Sequence, residues 1–189
     1  MKTRLFSFVL LFLILSSCAS DTDTMTDISE HIREIPSANY IAHITASFPG
    51  REVKFSLNYV YSKDGDDRAS VISPEELTGI SMTHSEKSSH IEFDGARLEF
   101  GSLDESGLSP FSALPKLITV WTNGNFEECT STRIYNRDAY MLVSRISDGG
   151  TDAEYRSWFS KDNLTPLYAE IFSDGERVIQ CEFERAESN

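Results

Sequence analysis

Cysteine is scarce in this sequence, with 3 in 189 residues. That excludes a disulfide-dense scaffold. Positive charge is also short: 17 Lys and Arg stand against 30 Asp and Glu, a net charge of −13. No cationic surplus exists to neutralise phosphates, so nucleic acid is excluded as a partner on charge grounds. The body of the chain has no apolar run long enough to cross a bilayer,. Catalytic signatures are missing too: there is no G-x-S-x-G, S-x-x-K, P-loop or G-x-G-x-x-G,. The four histidines, His31, His43, His84 and His90, form neither H-x-x-x-H nor H-E-x-x-H, so a zinc hydrolase, a metal site or another cofactor is not expected. Adjacent carboxylates such as Glu75-Glu76 and Glu127-Glu128 are what an acidic composition produces by chance on a solvated surface. These absences describe a non-enzymatic protein.

What is present supports a folded core. Hydrophobic residues make up 40% and aromatics 11%, too many for a disordered chain. A chain of this length buries roughly 70% of its unfolded surface. One domain is expected.

The chain opens with Lys2 and Arg4, then an apolar run over residues 5–15, then Leu15-Ser16-Ser17-Cys18. At 1.5 Å per residue the run reaches about half of a 30 Å hydrocarbon core. A basic start, a short apolar run and small residues before a cleavage point describe a secretory signal. Leu15 to Cys18 resembles a bacterial lipobox, which implies cleavage before Cys18 and lipidation of its thiol. The expected organisation is a signal peptide at 1–17, a lipid-anchored acidic tether at 18–29 and a single domain at 30–189. Loss of Lys2 and Arg4 makes the mature chain two charges more negative. The expected location is extracytoplasmic, anchored to the cell membrane through lipid on Cys18, or to the outer membrane in a Gram-negative host.

Two-residue alternation dominates the body. Val53, Phe55, Leu57, Tyr59 and Tyr61 share one face, with Glu52, Lys54, Ser56 and Asn58 on the other, as in a half-buried strand. Tyr40, Ala42, Ile44, Ala46 and Phe48 alternate likewise, with His43 on the polar side, and Pro49-Gly50 turns between the two runs. Further runs at 69–72, 91–93, 96–100, 133–135, 140–146, 155–159, 167–172 and 177–183 are separated by Asp94-Gly95, Asn136-Arg137-Asp138, Lys161-Asp162-Asn163 and Asp174-Gly175. Such spacing predicts an antiparallel meander. His84 and His90 flank a predicted turn at 85–89, where they are expected to be exposed.

Helices are few. Residues 28–35 form one candidate, with Asp27 as N-cap and Pro36 at its end. Residues 74–77, after Ser73, form a single capped turn. Residues 109–122 form the longest, with Ser109 as cap, Pro110 at the first helical position and Gly124 past the end. Pro115 is expected to kink it or divide it in two. Phe111, Leu114, Leu117, Ile118 and Trp121 recur at helical spacing, an apolar stripe that needs a surface to cover. The fold expected is mainly β (α+β): a curved antiparallel sheet forming an incomplete barrel, with two or three short helices as a lid on the concave face.

This layout, together with Trp158-Phe159-Ser160-Lys161-Asp162-Asn163-Leu164-Thr165-Pro166-Leu167 and Ala169-Glu170-Ile171, resembles the LolA-like superfamily of bacterial extracytoplasmic proteins. Ser109-Pro110, Leu114-Pro115 and Pro74-Glu75-Glu76-Leu77-Thr78-Gly79 resemble its membrane-anchored members in spore-forming Firmicutes, germination lipoproteins among them. The resemblance implies a concave apolar cavity. A lipid anchor is inconsistent with a freely diffusing shuttle, so that activity is not carried over. The cavity would take an acyl chain or a lipoprotein lipid, with Val53, Phe55, Leu57, Tyr59, Leu142, Phe159 and Ile171 as lining and Phe111, Leu114, Leu117, Ile118 and Trp121 as lid. A second reading is a tethered interaction protein whose acidic surface engages a cell-envelope partner, such as a spore peptidoglycan amidase. Cys129 and Cys181 are either bridged or two separate thiols.

Overall fold

A computed structural model of the chain describes residues 19–85, 88–100, 107–148 and 151–185. Cys18 and the predicted signal peptide lie outside the described residues. The elements run α1 (Ala19–Glu34), β1 (Ser37–Phe48), β2 (Arg51–Ser62), β3 (Asp67–Ser73), a 3-10 turn (Glu75–Leu77), β4 (Ser81–His84), β5 (Ser89–Phe93), β6 (Ala96–Phe100), α2 (Pro110–Asn123), β7 (Glu128–Ile134), β8 (Arg137–Asp148), β9 (Thr151–Ser160), β10 (Pro166–Ser173) and β11 (Glu176–Arg185). All eleven strands join one antiparallel sheet, in the order β6-β5-β4-β3-β2-β1-β11-β10-β9-β8-β7. The first and last strands pair at its centre, β6 and β7 lie at its ends, and the sheet curves without closing. The expected incomplete barrel is what forms.

Tight turns set the meander. Phe48 pairs with Arg51 across Pro49-Gly50. Asp94-Gly95 and Asp174-Gly175 take φ of 48° and 77°, and of 50° and 82°. Two successive positive φ values give the hairpin turn whose twist matches the strands it joins. The β7–β8 turn lies one residue earlier than the sequence suggests. Tyr135 and Asn136 take φ of 49° and 61°, while Arg137 and Asp138 already pair with Ile134 and Arg133. A tyrosine rarely adopts this conformation. Here its ring packs edge-on against Tyr168 at 6.1 Å, on the convex face.

Alternation decides what the concave face buries. Tyr40, Ala42, Ile44 and Ala46 of β1 stand opposite Tyr59, Leu57, Phe55 and Val53 of β2, on one face. The β1 four are buried with Leu57 and Tyr59, while Val53 and Phe55 are half-buried. On the other face His43 is half-exposed, its Nδ1 2.8 Å from Ser56 Oγ. Trp158, Tyr168 and Ala139 form a smaller apolar cluster on the convex side.

Helix α2 starts and stops where its sequence dictates. Ser109 Oγ accepts from Ser112 N, the Ser112 side chain returns the bond to Ser109 N, Pro110 follows, and Gly124 closes the helix in the left-handed region at φ 69°, the usual caps at either end. Pro115 does not divide the helix, which is continuous. Further along it, Thr119 Oγ1 donates to Pro115 O at 2.9 Å and Thr122 Oγ1 to Ile118 O at 2.9 Å.

Three other expectations are corrected, and one open alternative is resolved. Helix α1 begins at Ala19 rather than after Asp27, so the stretch read as a tether is helical, and Ile28 and Ser29 are buried. Met25, Ile28 and Ile32 pack on the core, a narrow stripe at helical spacing in an otherwise polar segment. The predicted turn at 85–89 is shorter: His84 belongs to β4 and His90 to β5, both half-buried, with His84 Nδ1 2.8 Å from Ser89 Oγ. The turn at 74–77 is a 3-10 turn without a side-chain cap. Cys129 and Cys181 are not bridged to one another. They lie on β7 and β11, with three strands between them.

Candidate functional site

Helix α2 covers the concave face with the stripe expected of it. Leu114, Leu117 and Trp121 are buried, as are Ala113 and Val120, while Phe111 and Ile118 are half-buried against the same core. Val120 extends the stripe beyond the sequence reading. Trp121 is the centre of this contact. It is 1% exposed, and its Nε1–H donates to Ser157 Oγ at 2.8 Å. Its ring meets Phe159 and Phe183 edge-on, at 5.2 and 5.6 Å. A buried indole needs a partner for its N–H, and Ser157 on β9 supplies it.

Five of the seven predicted lining residues, Leu57, Tyr59, Leu142, Phe159 and Ile171, come together beneath the helices, each 1% exposed or less. They form a packed core in this conformation. Phe55 reaches a 250 Å³ cleft shared with His43 and Lys54, and Val53 is half-buried nearby. Tyr59 also carries a polar device: its hydroxyl donates to Asp67 Oδ2 at 2.5 Å, while Ser62 N donates to Oδ1 at 3.0 Å. Burial, and then the Asp67 charge, hold the Tyr59 hydroxyl well above its ordinary 10.0.

Open space lies at one end of the half-barrel. The start of β1, the end of β11 and the β9–β10 loop bound two clefts there, of 540 and 420 Å³. Tyr40, Asn163, Thr165 and Arg185 line both. Tyr40 and Arg185 are register partners, so their side chains share the concave face. Burial raises the Tyr40 hydroxyl, and the Arg185 charge opposes that shift. Phe183 lines the larger cleft, meets Tyr40 edge-on at 6.0 Å and Trp121 at 5.6 Å. An unbroken line of aromatic rings thus leads from the clefts to the underside of α2. Sequence reasoning placed Tyr40 and Phe183 on strands but missed their meeting. That depends on the pairing of the first strand with the last, which no local pattern encodes.

The two helices are docked to one another. Arg33 of α1 donates from Nε to Thr122 O at 2.5 Å and from Nη2 to Asn123 O at 3.3 Å, binding the last carbonyls of α2 with a cation. Gly124 sits so close to α1 that an added Cβ would lie 2.6 Å from Ser29 Oγ. Among the described residues no group of three His, Cys, Asp or Glu could hold a metal ion, and no helix is long and apolar enough to cross a membrane.

No family model and no curated protein matches the sequence. Solved structures do. An uncharacterized conserved protein from Thermus thermophilus superposes with a TM-score of 0.54 at 13% identity, over 88% of this chain and 90% of that one. The lipoprotein LppX from Mycobacterium tuberculosis gives 0.52 at 12%, over 88% and 96%. A candidate outer membrane lipoprotein-sorting protein domain from Vibrio parahaemolyticus gives 0.51 at 10%, over 89% and 91%. The fold is the one these structures share. At these identities the likeness is one of fold alone. In this chain the element that crosses from β6 to β7 over the concave face is α2.

Proposed function

We propose that this chain is a non-enzymatic, lipid-anchored extracytoplasmic protein, held through lipid on Cys18. Its half-barrel would bind an apolar chain, an acyl chain or the lipid of a lipoprotein, between the sheet and α2. The observation that carries this reading is the aromatic line Tyr40–Phe183–Trp121, which joins the open clefts to the buried face of the lid. Helix α2 meets the sheet through apolar side chains, with the Trp121–Ser157 bond among them. An apolar ligand that displaces the helix face replaces one apolar contact by another, so the hydrophobic cost of opening is recovered on binding.

The sequence has two tryptophans, Trp121 and Trp158. In a Trp158→Phe protein, Trp121 alone reports on the lid. A saturable change in its fluorescence on adding a long-chain fatty acid or alcohol is expected. A flat titration with both, and no lipid retained in native mass spectrometry, would remove the reading.

A second reading draws on the net charge of −13. An acidic domain at a membrane surface would capture a basic cell-envelope protein, such as a spore peptidoglycan amidase, in a salt-sensitive manner. Recovery of one such partner from membranes at low salt, and its loss at high salt, would support it; no recovery at low salt would exclude it.

A further inference from the structure

The smaller end cleft differs in charge from the rest of this acidic molecule. Arg185 and His31 line its 420 Å³, together with Tyr40, Asn39, Asn163 and Thr165, and no carboxylate is among its lining residues. The Arg185 side chain makes no hydrogen bond or ion pair with any described residue. Most other arginines are engaged: Arg145 binds Glu127, Glu128 and Glu154, and Arg177 binds Glu170. Arg185, like Arg68 and Arg137, pairs with no carboxylate among the described residues, and it is the one of these that lines this cleft.

Its neighbours are arranged to assist. Asn163 Oδ1 accepts from Thr165 N at 3.3 Å and from Thr165 Oγ1 at 2.8 Å. Its acceptor is thereby occupied and its amide N–H groups remain to donate. The two carboxylates that line the adjoining 540 Å³ cleft are engaged elsewhere. Glu182 accepts from Gln180 Nε2 at 3.4 Å, and Glu184 faces His43 Nε2 at 3.7 Å. Tyr40, opposite Arg185, begins the aromatic line to Trp121. A cation and amide donors thus stand at the solvent end of an apolar path.

We propose that Arg185 and Asn163 bind the anionic headgroup, carboxylate or phosphate, of an amphiphile whose chain runs along Tyr40 and Phe183 toward Trp121. The ligand class is then an anionic single- or double-chain lipid rather than a neutral one. This rests on the apolar-ligand reading above and adds the headgroup to it. A charge-assisted bond at a partly solvated arginine contributes about one order of magnitude in affinity.

The test uses the mature Trp158→Phe protein with three probes: palmitate, hexadecanol and inorganic phosphate. Palmitate is expected to bind more tightly than hexadecanol. Arg185→Gln should weaken palmitate about tenfold and leave hexadecanol unchanged, with Arg185→Lys intermediate. The Arg185 side chain is exposed and bonds no described residue, so equal thermal melts of the variants are expected and exclude misfolding as the cause. Equal affinity for palmitate and hexadecanol, insensitive to Arg185, overturns the headgroup site and leaves the apolar reading standing. Arg185-dependent binding of phosphate with no binding of either amphiphile supports the anion site with a free anion as its ligand, and removes the lipid reading. Failure of all three probes overturns both.

Discussion

Replacing Trp121 tests how firmly α2 is held. The side chain is 1% exposed, so truncation to Ala removes a full indole from the core, at a cost of about 3–5 kcal/mol. It also strands Ser157 Oγ, itself buried, without its donor, although water can enter the space that remains. For a total stability of about 5–15 kcal/mol, this is a large fraction. At about 2–4 °C per kcal/mol for a domain of this size, a loss of about 4 kcal/mol lowers the melting temperature by about 8–16 °C. A double-mutant cycle separates the polar part. Trp121→Phe leaves Ser157 without a donor, and Ser157→Ala leaves the indole N–H without an acceptor, each costing about 1–3 kcal/mol. The pair removed together costs less than the sum, with a coupling of about 1 kcal/mol in urea melts. Lys63→Ala, at an exposed site, serves as control within about 0.5 kcal/mol. Strict additivity of Trp121→Phe and Ser157→Ala, or a Trp121→Ala protein as stable as the control, would refute the view that this contact seats the helix. Trp121→Ala should also release bound ligand faster than the control does.

Leu57→Asp, which buries a charge at a position 1% exposed, should prevent folding, and Phe55→Asp at its half-buried site should cost less; circular dichroism in urea distinguishes them. Gly124→Ala should destabilise by about 1 kcal/mol or more, since the residue holds φ 69° and an added Cβ meets Ser29,; an unchanged melt would mean that α1 moves aside freely. Stability should fall in alkali. Folding raises the Cys181 thiol above its ordinary 9.0 and the hydroxyls of Tyr40 and Tyr59 above 10.0, burial being the largest cause in each. The folded state therefore holds protons that the unfolded chain releases first, so stability is full below pH 9.0 and declines as pH rises through 9.0 and 10.0,. Tyr59→Phe should make that decline shallower, and an unchanged slope would assign it to other groups. Cys18→Ala should abolish labelling by a fatty-acid probe, and a mutant that still labels would place the lipid elsewhere.

Much of the sheet was legible because its strands obey a strict local period. Residues 40–48 and 53–61 alternate with one exception each, Ile41 and Val60, and Asp94-Gly95 and Asp174-Gly175 admit few conformations other than the turn they form. Strands that failed to announce themselves are polar. Ser81–His84 and the first half of Glu128–Ile134 carry hardly any apolar residue, and they are defined by pairing with neighbours. The start of α1 was hidden likewise, since Ala19 to Asp27 is rich in Asp, Thr and Ser, weak helix formers whose order here comes from docking Met25, Ile28 and Ile32,. For the site, the apolar stripe of α2 could be read from spacing alone. The end clefts could not, because Tyr40 meets Arg185 only when the two ends of the chain pair.

An open sheet has an additional consequence for how the molecule behaves in concentrated solution. Strands β6 and β7 have no further strand beside them among the described residues, and such margins invite a second copy to extend the ladder. β6 is only 5 residues long and presents Arg97 and Glu99, while the 7-residue β7 presents Glu128 and Arg133. Short length limits the bonds a neighbouring copy could gain, and charge at the margin taxes its approach. Short, charged margins of this kind work against an extended ladder, and Leu98 of β6, 61% exposed, is the apolar side chain they must offset,.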